Sequence, residues 1–383
     1  ENSVLTASML MLTSSASSAP RSPFLEYLPA QCAAVAPVAP VSLSLNFICY
    51  IGLSVALENG VEGYLLPGVL RQLNSCAKLL MQQSYIHQLK VYQFRLAEHP
   101  FKIATVYNVA KGGDETAAGA EKVDADNVAK RRLLHEVLGL PRDRPLLRVA
   151  NAWRAPSALE VETTSARLSN VHVGLPASGV NGKVTLLSGD YDYFHYMQDR
   201  FDDSGWGCAY RSLQTLMSWF RKQHYSNKPV LSHREIQQML VDMGDKPAKF
   251  VGSREWIGAI ELSYILDTHM GITSKLITVS AGAEMPSKAR EIARHFETQG
   301  TPIMIGGGVL AYTLLGIDYN EATGDCAFLI LDPHYTGGED LSRIHAGTWV
   351  CWKRISDRAA AGGELFVRDA FYNLLCPQRP NAI

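Results

Sequence analysis

Several features that would place this chain in a familiar class are missing from it. Its 36 Lys and Arg nearly balance its 37 Asp and Glu. It therefore has no basic surplus of the kind that binds nucleic acid or an anionic membrane. No two cysteines stand as C-x-x-C. The seven (Cys32, Cys49, Cys76, Cys208, Cys326, Cys351, Cys376) are scattered and odd in number, which argues against a disulfide framework and a structural zinc site and fits a reducing compartment. The most apolar run, Val41–Leu57, falls short of the ~20 residues a membrane helix needs. Its alternation of Leu43, Leu45, Phe47, Cys49 and Ile51 suits a buried strand, so no membrane span is expected. The Ser/Ala-rich stretch Ser8–Pro20 has no basic segment before it, unlike a signal peptide. Gly306-Gly307-Gly308 lacks the spacing of a phosphate loop. No internal repeat and no cofactor motif is visible.

What is present fits a globular protein of two domains. The chain has 383 residues, 47% of them hydrophobic, enough for two cores. It begins at Glu1 rather than Met, as a fragment, a processed form or an incomplete gene model would. Residues 1–40, rich in Ser, Ala and Pro, read as a poorly ordered leader. Residues 41–155 read as a smaller α/β domain. In it, Val41–Leu57 and Glu62–Leu66 are expected to pair as strands about Asn59-Gly60, and a helix opens at Pro67-Gly68. Lys102–Asn108 is a further strand, Lys111–Ala129 an exposed loop, and Arg131–Leu138 a helix. Residues 156–184 carry the Pro, Gly and Ser of a linker. From 185 to 383 the texture is denser. Helices are expected at His233–Met243 (capped by Ser232), Trp256–Asp267 and Ser287–Gln299, with buried strands at Pro302–Ile305 and Ala327–Leu331.

Chemistry concentrates in this last segment. Trp206-Gly207-Cys208-Ala209-Tyr210-Arg211 puts a cysteine at the start of a helix whose Leu213, Leu216, Met217 and Phe220 share a face. A helix N-terminus favours thiolate, the nucleophilic form. Far along the chain, Phe328-Leu329-Ile330-Leu331 ends in Asp332-Pro333-His334. Residues i and i+2 of a strand point the same way, so Asp332 can orient His334 while the second ring nitrogen faces a thiol. The combination reads as a Cys-His-Asp hydrolase. Such an enzyme needs oxyanion donors. The backbone N–H of Cys208 is one, and any of Tyr191, Tyr193 or Tyr196 could supply another. Spacing does not choose among them. Trp256 could cover a groove or fill the core, and Gly306, Gly307 and Gly308 could let a peptide tail approach. A zinc site of Cys208, Asp332 and His334 lacks a fourth ligand, so no metal is expected.

The runs His195-Tyr196-Met197-Gln198-Asp199-Arg200, Gly205–Thr215, Val251-Gly252-Ser253-Arg254, Gly306–Ala311 and Leu331–Gly337 together resemble the ubiquitin-fold modifier 1-specific cysteine proteases. The resemblance covers essentially all of residues 185–383. The preceding domain, with Leu140-Pro141-Arg142-Asp143, resembles that of the family's longer members. It implies a papain-like α+β fold with Cys208 as nucleophile, His334 as base, Asp332 as its orienter and Tyr196 as the oxyanion tyrosine. It further implies cleavage after the modifier's C-terminal glycine, both in the precursor and in conjugates. The implied setting is cytoplasmic, with an adaptor protein drawing the enzyme to the endoplasmic reticulum. One departure is Tyr312, where the resemblance implies His. Two other functions remain open from sequence: an autophagy-type processing protease, which also uses Asp-Pro-His, and a catalytically silent modifier-binding module.

Overall fold

The computed structural model describes residues 9–12, 40–44, 54–82, 88–96, 102–109, 117–152, 167–226, 228–360 and 362–380. Two compact units divide the chain near Ala155 and Pro156. Most of the expected leader, most of the Val41–Leu57 run and residues 156–166 of the expected linker lie outside the described residues.

In the first unit a four-stranded sheet has the order β1 (Met9–Leu12), β2 (Pro40–Ser44), β3 (Gln88–Arg95), β4 (Lys102–Val109). The β2–β3 pair is parallel and the others antiparallel. Phe94, Tyr107, Val123 and Leu147 form part of its core. Two expectations are corrected here. Glu62–Leu66 is not a strand: Val61–Leu65 is a π-helical turn running into the helix Leu66–Gln82. Pro67 follows the π-helical turn, at the point where the bonding pattern changes. Nor is Lys111–Ala129 a loop throughout, because Ala117–Asp126 is helical. Ala117, Ala118, Ala120, Glu121 and Lys122 are strong helix formers, and Ala120 and Val123 are buried one turn apart. β3 was not anticipated, although Leu89, Val91 and the other residues of Gln88–Arg95 pair fully with β4.

In the second unit a seven-stranded sheet has the order β10 (Val350–Lys353), β9 (Cys326–Leu331), β8 (Leu310–Tyr319), β7 (Ile303–Gly307), β11 (Tyr372–Pro377), β6 (Ser274–Val279), with β5 (Lys183–Leu186) beside β8. Every pair is antiparallel. β8 pairs with β7 through Leu310–Leu314 and with β5 through Gly316–Tyr319. Gly316 allows that second contact, since a Cβ there would lie 2.4 Å from Leu186 Cδ2.

The helix Cys208–Lys222 packs against this sheet. Sequence periodicity predicts one apolar face, but all residues from Cys208 to Phe220 are buried. Leu213, Leu216, Met217 and Phe220 are each fully buried, worth about 1.5–3 kcal/mol apiece. The helix Ala259–Met270 packs beside it, His233–Asp242 packs against Ala259–Met270, and Ala289–Thr298 lies against β8 and β5. Ser232 and Glu235 form a reciprocal capping box at the start of His233–Asp242. Residues 167–187 also belong to this packing. Val171 is buried and its carbonyl accepts from His345 Nε2 at 2.7 Å, while Leu168 N–H donates to Glu339 at 3.0 Å. A buried helix on an antiparallel sheet is the α+β architecture expected from sequence.

Candidate active site

Cys208 is the first residue of the central helix, so free backbone N–H groups and the positive end of the dipole meet at its sulfur. Gly207 before it has to be glycine. A Cβ there would lie 2.5 Å from Asp203 Oδ2.

β9 delivers the other groups. Asp332 follows its last residue, anchored by its N–H to Trp349 O at 2.7 Å and by the Tyr193 hydroxyl, which donates to its carbonyl. One carboxylate oxygen, Oδ1, accepts from the His334 backbone N–H at 3.0 Å and from Nδ1 at 2.5 Å. Nδ1 therefore carries a proton and Nε2 is left for the thiol. Burial opposes a charge on His334, but the Asp332 carboxylate and the Cys208 sulfur outweigh it and carry its pKa up to about 10. An imidazolium held beside a sulfur favours the nucleophilic form of that sulfur. Nε2 itself makes no closed hydrogen bond with a described residue, as is common before substrate binds. The His334 ring lies between two aromatic neighbours, Tyr196 at 5.2 Å and Tyr312 at 5.7 Å, both edge-on.

The three candidate tyrosines separate clearly. The Tyr191 hydroxyl lies 3.1 Å from His172 Nδ1, and that of Tyr193 is committed to the Asp332 carbonyl. The Tyr196 hydroxyl meets both the thiol and the backbone of Cys208. Burial, and then negative charge on Cys208, push its pKa well above that of a free phenol, so it remains a proton donor. Its backbone N–H donates to Pro333 O at 2.9 Å, which ties the tyrosine loop to the Asp332–His334 turn. The structure thus brings together Cys208, His334, Asp332 and Tyr196.

The loop after Tyr196 is strained. Met197, Asp199 and Arg200 all have left-handed backbones, with φ of 64°, 60° and 57°, each costing on the order of 1–3 kcal/mol. A buried clamp holds it. Asp203 Oδ1 accepts from Met197 N–H at 2.9 Å, and Oδ2 accepts from Arg211 Nε at 2.6 Å and lies 3.0 Å from His233 Nε2. Burial works against the Asp203 charge, but His233 and Arg211 prevail and hold its carboxyl below the usual range. Arg211 Nη2 also donates to Gln198 O at 3.1 Å. Because Arg211 lies one turn after Cys208, the helix bearing Cys208 also grips the loop bearing Tyr196. Sequence reasoning passed over Asp203, Arg211 and His233. The available clue was an arginine on a helix that otherwise reads as buried, since buried arginine needs an acidic partner.

Two further expectations resolve differently. Trp256 is 55% exposed and so does not fill the core, and its Nε1 donates to Gly205 O at 3.2 Å, three residues before Cys208. The glycine run has a reason within its own chain. A Cβ at Gly307 would lie 2.2 Å from Phe371 O, and one at Gly308 2.4 Å from Tyr372 Oη. One at Gly306 would meet Met304 Cε at 2.9 Å. Among the described residues no group of three or more His, Cys, Asp or Glu is arranged to hold a metal, and no helix is long and apolar enough to cross a membrane.

Comparison with known proteins gives concordant results. Residues 182–375 match the family model of peptidase family C78. A probable Ufm1-specific protease of Oryza sativa subsp. japonica is 46% identical over 379 residues, covering 96% of this chain and 56% of its own length. Ufm1-specific protease 2 of Homo sapiens is 51% identical over 261 residues, covering 68% of this chain and 53% of its own. A crystal structure of UfSP from C. elegans superposes with a TM-score of 0.59 at 37% identity, over 78% of this chain and 52% of that one. The chain spans about half the length of the curated relatives it matches.

Proposed function

This chain belongs to peptidase family C78, and from that membership we propose that it is a thiol peptidase and isopeptidase acting on ubiquitin-fold modifier 1. It cleaves after the modifier's C-terminal glycine, maturing the precursor and releasing the modifier from lysines of conjugated proteins. The observation that carries this is the meeting of Cys208 with an imidazole that Asp332 orients and keeps protonated. The names of the relatives supply the modifier.

In the reaction the Cys208 sulfur attacks the glycine carbonyl. The new C–S bond pushes an electron pair onto the carbonyl oxygen, which the Tyr196 hydroxyl and the Cys208 backbone N–H receive. Collapse of that intermediate breaks the C–N bond as His334 Nε2 gives its proton to the leaving amine, the Nζ of a lysine or the α-nitrogen of the next residue. A thioester remains. His334, now neutral, takes a proton from water, whose oxygen attacks the thioester. The carboxylate leaves and the starting thiolate–imidazolium pair returns. Asp332 keeps the imidazole in the required tautomer throughout and does not itself move a proton.

Trp256 and the Gly306–Gly308 turn flank the modifier's tail. The first unit recruits partners: it binds an adaptor protein that draws the enzyme from the cytoplasm to the surface of the endoplasmic reticulum. A panel of ubiquitin-like precursors incubated with the purified chain tests the substrate. Cleavage of the ubiquitin-fold modifier 1 precursor alone is expected. Preferred cleavage of an autophagy-type modifier, or none of any precursor, would refute it.

A further inference from the structure

The triad contains a loose end that its geometry helps to close. Asp332 is 1% exposed, and its Oδ1 takes both bonds from His334. Its other oxygen, Oδ2, is buried and makes no hydrogen bond with a described residue. The hydroxyl of Tyr312, also 1% exposed, is buried and likewise makes none. The two groups are complementary, one an acceptor and the other a donor. Buried polar groups are hydrogen-bonded in the great majority of cases, and leaving one unpaired costs about 1–3 kcal/mol.

Placement brings them together. β8 and β9 pair Thr313 with Leu331. Tyr312 and Asp332 are the next residues of the two antiparallel strands, one position beyond that pair. Both also address the same ring: Asp332 bonds to His334 Nδ1, and Tyr312 meets the imidazole edge-on at 5.7 Å. Of the neighbouring hydroxyls, that of Tyr193 already gives its proton to the Asp332 carbonyl, while that of Tyr372 accepts from Val367 N–H at 2.8 Å. Burial first, and then the Asp332 charge ahead of those of Tyr372 and Cys208, raises the pKa of the Tyr312 phenol far above its ordinary value. Tyr312 is thus a donor at any working pH.

We propose that the Tyr312 hydroxyl donates through one bridging water to Asp332 Oδ2, and is a positioning residue that acts through Asp332 on His334. The proposal deepens the thiol-protease function above and rests on it. With Oδ2 held, the carboxylate cannot swing about its Cβ–Cγ bond, and Oδ1 stays on Nδ1.

Tyr312→Phe keeps the ring against His334 and removes only the hydroxyl. On the modifier precursor, kcat should fall about tenfold with KM unchanged, the size of one hydrogen bond to a charged group. A second readout needs no modifier: the rate at which iodoacetamide alkylates Cys208, followed by mass spectrometry. At about pH 6 the sulfur depends on the imidazolium for its reactivity, and Tyr312→Phe should be slower several-fold. At about pH 9, where free thiols ionise unaided, the two proteins should converge. In an Asp332→Asn background Tyr312→Phe should add no further loss, because the hydroxyl works through the carboxylate. Equal alkylation rates at the acid pH, or a full additional loss in the Asp332→Asn background, would overturn the proposal. A wild-type protein that shows fast acid-pH alkylation but cleaves no precursor would overturn the substrate assignment and leave the alkylation result standing.

Discussion

Replacing Tyr196 with Phe is the sharpest perturbation the active site offers. The substitution removes one oxygen from a buried ring that packs edge-on against His334 at 5.2 Å, so the imidazole keeps its aromatic wall. What disappears is the hydroxyl that meets Cys208. In the mechanism proposed above the hydroxyl stands where charge develops on the carbonyl oxygen, and one such donor is typically worth about 10²–10³ in kcat, or roughly 3–4 kcal/mol. Binding of the modifier's folded body is untouched, so KM should hold. Steady-state hydrolysis of the precursor by the purified variant measures both constants. Tyr193→Phe is the control. Its hydroxyl supports Asp332 from behind, and about 1 kcal/mol, under tenfold, is expected from a neutral hydrogen bond. Tyr191→Phe, whose hydroxyl faces His172, should leave kcat unchanged. A rise in KM at constant kcat for Tyr196→Phe, or an equal loss from either control, would refute the assignment of the oxyanion donor.

Other consequences can be checked on the same protein. Asp332→Asn should keep the fold, as judged by circular dichroism, yet lose about 10³–10⁴ in kcat through the wrong imidazole tautomer; near wild-type rates would remove Asp332 from the triad. Asp203→Ala should lower stability by about 1.5–3 kcal/mol in denaturant titrations, the size of a hydrogen bond to a charged group, because Arg211 loses its buried partner and keeps only the longer contact of 3.4 Å with Asp199. A loss below 1 kcal/mol would show that the clamp carries little. His334, with its pKa raised to about 10 against about 6.5 when unfolded, contributes stability that is fully present below the unfolded value. That contribution is lost as pH rises through the folded one. The melting-temperature gap between wild type and His334→Ala should therefore narrow from neutral pH toward pH 10, and a widening gap would contradict the thiolate–imidazolium pair. A chain shortened to begin near Pro156 should still cleave the precursor. One beginning near Gly174 should be less stable, because it loses buried Val171 and the bond from Leu168 to Glu339; equal melting temperatures would count against that packing.

The parts of this protein legible in its sequence are those encoded over short spans. Gly207-Cys208 at a helix start, and Asp332 two residues before His334 at a strand end, can each be read from neighbours alone. So can the capping box at Ser232, and the strands from Ile303 and Cys326. The tyrosine proposed as oxyanion donor could not be chosen that way. Tyr191, Tyr193 and Tyr196 are all buried, and what distinguishes them is the partner each hydroxyl finds across the fold. The Asp203–Arg211–His233 clamp was invisible for the same reason, since its members come from a loop and two helices. In the first unit local propensity misled in both directions. Glu62–Leu66 reads as a strand but coils into the following helix, while the Gly and charges around Ala117–Asp126 mask a good run of helix formers.

Central to this account is that Cys208, and no other cysteine, forms the covalent bond with the modifier. The most direct measurement uses ubiquitin-fold modifier 1 carrying an electrophile in place of its C-terminal carboxylate, incubated with the intact protein and analysed by peptide mass spectrometry. One adduct, on the peptide containing Cys208, absent from Cys208→Ala and strongly slowed in His334→Ala, is the predicted result. No adduct in the wild type, or an adduct on Cys326, Cys351 or Cys376, would contradict it.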